Sequence, residues 1–117
     1  LSDNFIAVAD GVGGWAESGV DPAIFSRRLC KLIEERAISE DNDKYIDDPR
    51  QALVEAVSEN REMGSSTCVL ASLCKYEPKV STANLGDSGY LLLRKNGMDL
   101  LSIFRSKEQT HGFNFPF

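Results

Sequence analysis

The chain has 117 residues, the size of one small domain, and 42% of them are hydrophobic and 26% charged. That composition is globular rather than disordered or fibrous. Thirteen lysines and arginines stand against eighteen aspartates and glutamates, a net charge of −5. This argues against a nucleic-acid or anionic-membrane partner, which requires a basic face, and leaves room for metals held by carboxylates.

No apolar run nears the roughly 20 residues of a membrane span. Three cysteines without a Cys-x-x-Cys pair leave neither a zinc site nor a disulfide framework, and free, mostly buried thiols are expected. The chain opens at Leu1 in what reads as a strand lead-in and stops after the apolar Phe113–Phe117. Both ends are expected to continue into further chain.

Phe5-Ile6-Ala7-Val8-Ala9 is a short apolar run of the kind found in buried strands. It ends in the glycine-rich turn Asp10-Gly11-Val12-Gly13-Gly14. Asp21-Pro22 supplies an N-cap followed by proline at the first helical position. Phe25, Leu29, Leu32, Ile33 and Ala37 then recur at helical spacing, which predicts a helix over 22–37. Within it, Cys30 and Arg36 match the Cys-x5-Arg spacing of cysteine-dependent phosphatases. Such a loop needs glycines whose amides cradle phosphate. Here the intervening residues are helix formers with two acids, so the match is set aside.

Five of the nine residues 40–48 are acidic, and without a central Gly or closing Glu they read as a solvated loop, not a calcium site. Asp48-Pro49 repeats the cap. Ala52, Leu53, Ala56 and Val57 form the stripe of a second helix ending near Glu62. Strands follow over 67–75, 80–85, 90–94 and 98–104, with turns at Glu77-Pro78 and Gly86–Gly89 and a two-residue hairpin signal at Asn96-Gly97. The order predicts an α+β fold, with helices on one face of a four-stranded antiparallel meander.

Two turns place an aspartate beside glycine at a strand end: Asp10-Gly11 and Gly86-Asp87-Ser88-Gly89. A strand end projects the carboxylate from a rigid element, and glycine lets a backbone carbonyl approach a ligand. Hard divalent cations favour such oxygens. The plainer alternative is that Asp and Gly are ordinary turn residues. A phosphate-binding glycine loop fits less well, because residues 10–14 lack both the Gly-x-Gly-x-x-Gly pattern and a Gly-Lys-Ser/Thr. Ser65, Ser66 and Thr67 have no histidine or lysine base near them in sequence and read as residues leading into a strand. Trp15 and the lone His111 read as packing and structural residues, and the alternating Phe113, Phe115 and Phe117 as one strand face or an uncovered apolar patch.

The run from Phe5 to Trp15 resembles the signature of the metal-dependent serine/threonine phosphatases of type 2C. Thr82–Tyr90 is similar to that family's Gly-Asp-Ser motif, and Gly64–Cys68 to its preceding strand. Gly19–Pro22 with Phe25-Ser26, and Arg105–Phe117, resemble the mitochondrial and plastid members related to yeast Ptc-seven.

The resemblance spans nearly the whole chain. It implies a partial α-β-β-α sandwich of antiparallel sheets with helices outside, with residues 1–117 forming part of a catalytic domain. It also implies a binuclear Mg²⁺ or Mn²⁺ centre with a possible third ion. By motif match Asp10 would be the catalytic residue that bridges both metals, Gly11 would offer its carbonyl, and Asp87 would serve the third ion. A metal-activated water would hydrolyse phosphoserine or phosphothreonine in a phosphoprotein substrate. A monomer in the mitochondrion, or else the plastid, is implied as well.

Many members carry histidine, a candidate general acid, where this chain has Val12. The family's phosphate-binding arginine and its remaining metal carboxylates lie upstream of Leu1 and downstream of Phe117. The chain alone is therefore expected to be incomplete for catalysis. The rival readings are a catalytically dead phosphatase-like domain that binds a phosphoprotein or regulator, and an unrelated α+β metal-binding module.

Overall fold

The computed structural model describes residues 2–112 and 115–116. The predicted lead-in at Leu1 and the alternating phenylalanines at Phe113 and Phe117 lie outside the described residues. Three strands, β1 (Phe5–Val8), β2 (Cys68–Leu73) and β3 (Val80–Leu85), form one antiparallel sheet in the order β1-β2-β3. Its register sets Ala7 against Leu70 and Leu70 against Ala83. Side chains alternate across a strand, so Phe5, Cys68, Leu70 and Ser72 point to one face and are buried there.

Two helices cover that face, α1 (Pro22–Ala37) and α3 (Pro49–Glu59). Both begin as their Asp-Pro caps predict. The Asp21 carboxylate accepts from the Ala23 amide at 2.9 Å, and that of Asp48 from the Gln51 amide at 3.3 Å. Leu29, Leu32 and Ile33 of α1 and Ala52, Leu53 and Ala56 of α3 meet the strand residues in one core. Full burial stabilises each leucine or isoleucine by about 2–3 kcal/mol. The second helix stops three residues earlier than expected. Asn60 is extended, and its side-chain amide donates to the Phe25 carbonyl at 3.0 Å.

The acidic segment is not a plain solvated loop. It contains a five-residue helix, α2 (Asp43–Asp47), and buries Tyr45 and Ile46 in the core. The Ile46 carbonyl accepts the Ser72 hydroxyl at 2.6 Å, and Lys75 pairs with Asp43 at 2.9 Å. Two adjacent apolar side chains decide the packing here, while the surrounding charges stay in water.

The remaining strands do not extend the sheet. β4 (Leu91–Asn96) and β5 (Asp99–Arg105) form a separate hairpin, and among the described residues β6 (Thr110–Gly112) pairs with β7 (Phe115–Pro116) alone. The predicted single meander is therefore broken after β3. Gly86 takes φ +89° there, a left-handed value that turns the chain out of the sheet. The hairpin loop is also one residue later than predicted. Asn96 pairs with Asp99, so Gly97 and Met98 make the turn, with Gly97 at φ +62°.

The hairpin stands over the sheet face opposite the helices. Ile6, Val8 and Val69 of the sheet and Leu91, Leu92 and Phe104 of the hairpin line a cleft of about 990 Å³ between them. A Thr82–Tyr90 hydroxyl bond of 2.7 Å ties the two layers, and Tyr90 stacks on Phe104 of the hairpin. The architecture is α+β: helices, a three-stranded sheet and an opposed hairpin. Among the described residues no helix is long and apolar enough to cross a membrane.

One polar cluster joins the helices. The nearly buried Arg36 guanidinium donates to Glu55 at 3.2 Å, to Glu59 at 2.6 Å and to the Leu32 carbonyl at 2.9 Å. Tyr45 and Gln51 also donate to the Glu55 carboxylate. Chiefly through the Tyr45 and Gln51 hydrogen bonds, the Glu55 carboxyl falls from its ordinary 4.5 to about 2. A depressed folded-state value stabilises the fold above the ordinary carboxylate range, and that contribution is lost as pH falls from about 4.5 toward 2. Glu55→Gln is therefore expected to lower the melting temperature at neutral pH and to flatten its decline over that acid window. Thermal melts at stepped pH check this; parallel wild-type and variant curves would refute it.

Candidate active site

Three strand ends meet at one end of the sheet: β1 runs into Asp10, Ser65–Thr67 lead into β2, and β3 runs out into Gly86–Gly89. The register that pairs Val8 with Val69 and Cys68 with Leu85 makes these turns neighbours. The Asp10 carbonyl accepts from the Thr67 amide at 2.9 Å and from the Ser66 hydroxyl at 3.0 Å. Gly11 forms an isolated antiparallel bridge with Ser66, and the Val12 amide donates to the Ser65 carbonyl at 3.0 Å. Thr67 then reaches the other turn, its hydroxyl 2.5 Å from that of Ser88.

The Asp10 side chain is exposed and that of Asp87 half-buried. Asp10 lies at one end of the cleft between sheet and hairpin. Asp87 lines a neighbouring cleft of about 390 Å³ with Arg105, Ser106 and Glu108. The two clefts share Gly89, Tyr90 and Leu91. The turns are thus adjacent, while their carboxylates open onto different clefts.

Gly11 has a second reason to be glycine, beyond the approach of a ligand to its carbonyl. A Cβ there would lie 2.1 Å from the Pro22 carbonyl oxygen, because the start of α1 packs directly on the turn. The Trp15 indole donates to the Ser65 hydroxyl at 2.8 Å and closes a short 3-10 segment, Gly13–Ser18, over the same region. The structural reading of Trp15 becomes specific in this contact.

The residues that lead into β2 held more than the sequence revealed. The hydroxyl of Ser65 accepts from Trp15, that of Ser66 donates to the Asp10 carbonyl, and that of Thr67 meets Ser88 in the other turn. Nothing in a Ser-Ser-Thr run announces that arrangement, because the partners are 21 to 56 residues away.

His111 lies in β6 and lines neither cleft. The cysteines are free. Burial raises the Cys30 thiol and pushes Cys68 up to about 12, so neither is a ready nucleophile at neutral pH. Arg36 is committed to Glu55 and Glu59, which removes it from any phosphate loop built on Cys30.

The donor chemistry of the turns, carboxylate and carbonyl oxygen, suits a hard divalent cation. The number of donors does not suit a binuclear centre: among the described residues no group of three or more His, Cys, Asp or Glu gathers to hold a metal.

Strand-end aspartates at one end of an antiparallel sheet, with helices behind it, are combined with homology to known enzymes. The chain is homologous to the type 2C protein phosphatases. Its relatives include a protein phosphatase PTC7 homolog of Drosophila mojavensis, 41% identical over 96% of this chain and 36% of the relative. A probable protein phosphatase 2C 80 of Arabidopsis thaliana is 40% identical over 96% of this chain and 25% of its own length. The X-ray structure of the photosystem II phosphatase PBCP superposes with a TM-score of 0.81 at 34% identity, over 96% of this chain and 41% of that one. No family model matches the chain. The chain spans about a third of the length of the first curated relatives it matches.

Proposed function

We propose that residues 1–117 are part of the catalytic domain of a metal-dependent protein phosphatase that hydrolyses phosphoserine and phosphothreonine in proteins. The observation that supports this reading is the joining of the Asp10 and Asp87 turns through Thr67 at one end of the sheet. Asp10 is the proposed catalytic and metal-bridging residue, with the Gly11 carbonyl and Asp87 as further oxygen donors. Mg²⁺ or Mn²⁺ is the proposed cofactor, which when bound supplies an activated water and neutralises phosphate charge. The other ligands would come from outside this chain. A phosphoprotein is the proposed partner, a monomer the proposed state, and the mitochondrion, or else the plastid, the proposed location.

The short donor set favours a second reading, a phosphatase-like domain that binds a phosphoprotein or regulator without hydrolysing it. Hydrolysis of p-nitrophenyl phosphate in Mn²⁺ separates the two. The first reading expects a Mn²⁺-dependent rate, in this chain or in a longer one carrying flanking sequence, that Asp10→Asn lowers by at least ~100-fold. A rate indifferent to Asp10→Asn overturns the assignment of Asp10. No rate in either chain leaves the binding domain as the better description.

A further inference from the structure

We propose that Thr67 is a positioning residue that holds the Asp87 turn in fixed register with Asp10; its kinetic consequence rests on the phosphatase reading. Thr67 works in two directions at once. Its main-chain amide donates to the Asp10 carbonyl at 2.9 Å, a bond that any residue at this position keeps. Its side-chain hydroxyl meets the Ser88 hydroxyl at 2.5 Å, a bond that only threonine or serine makes.

Thr67 is buried, 4% exposed, so water cannot readily replace a lost partner. The Asp87 turn needs the hold. It leaves the sheet at Gly86, φ +89°, and beyond it the chain commits to the separate hairpin. The turn is also tied to the segment after β5, with the Gln109 amide on the Gly86 carbonyl at 2.9 Å and the Tyr90 amide on the Ser106 hydroxyl at 2.8 Å, and to β3 through the Tyr90 and Thr82 hydroxyls at 2.7 Å. None of those bonds reaches β2, whereas the Thr67–Ser88 bond holds the turn to the strand that carries Asp10's contact. Small misplacements of reacting groups are costly to catalysis, so a hydroxyl that fixes one carboxylate turn against another acts on rate without touching substrate.

Valine is the informative replacement, because it keeps the β-branched shape and removes the hydroxyl. Thr67→Val should speed hydrogen exchange at the Tyr90 and Gln109 amides by about tenfold and leave Val12, bonded to the Ser65 carbonyl, unchanged. Thr67→Ser should restore protection. Ser88→Ala should reproduce Thr67→Val, and the double variant should be no worse than either single one, as for a single shared contact.

Where wild type shows Asp10-dependent hydrolysis, Thr67→Val should lower kcat about tenfold at unchanged KM, and Thr67→Ser should recover most of it. Exchange unchanged by Thr67→Val, or changed equally by Thr67→Ser, overturns the proposal. So does a kcat that Thr67→Val leaves intact. If neither this chain nor a longer one carrying flanking sequence shows such hydrolysis, the phosphatase reading fails, and the exchange comparison alone decides the role of Thr67.

Discussion

Gly11→Ala is expected to destabilise the chain by about 1–3 kcal/mol or more and to remove any activity that depends on Asp10. The added methyl would sit 2.1 Å from the Pro22 carbonyl oxygen and 2.9 Å from its carbon. Both are backbone atoms at the first turn of α1, so no side-chain rotation relieves the contact. Either the start of α1 withdraws, which loosens the cap that Asp21 provides, or the turn withdraws from Ser66 and breaks the bridge at Gly11. In both cases Asp10, one residue away, loses its position. Gly13→Ala is the control, because a methyl there meets nothing within 4 Å. Urea denaturation should give a lower midpoint for Gly11→Ala and a near wild-type midpoint for Gly13→Ala. Equal midpoints for the two variants would show that the contact at Pro22 does not constrain the turn.

The sequence reading explained this glycine by the approach of a ligand to its carbonyl, and the packing of α1 on its Cα was not visible. The difference is general in this chain. Signals carried by neighbours in sequence were legible: Asp21-Pro22 and Asp48-Pro49 start helices where expected, and the apolar spacing of Leu29, Leu32 and Ile33 gave the buried face. Signals carried by distant partners were not. The pairing of β1 with β2 depends on which strands meet across 60 or more residues, and a glycine in a turn does not show in sequence that Gly86 takes a left-handed φ and carries β4 out of the sheet. The burial of Tyr45 and Ile46 was masked by five acids in nine residues, because one helical turn is too short to display a period. At the site, the two Asp-Gly turns were legible as a pair of candidates, whereas the hydroxyls that hold them together resemble any residues preceding a strand.

Leu70→Ala should be strongly damaging, and its contrast with Leu92→Ala tests how the core is distributed. Leu70 is fully buried at the centre of β2, between Ala7 and Ala83 on the neighbouring strands and beneath the helices. Truncating such a leucine costs about 2–5 kcal/mol. A small domain has only about 5–15 kcal/mol in total. This one is expected near the low end, because half-exposed Ile6, Val8 and Val80 leave the second sheet face open beneath the hairpin. Leu92, 43% exposed on that side of the cleft, has far less burial to lose, and its truncation should cost about 1 kcal/mol or less. Thermal melts should therefore show Leu70→Ala broadened or unfolded at room temperature and Leu92→Ala close to wild type. The same open face should make wild type bind a hydrophobic dye before it unfolds. A sharp wild-type transition without dye binding, with both leucines equally costly, would mean that the sheet and the hairpin close on each other into a second core of comparable strength.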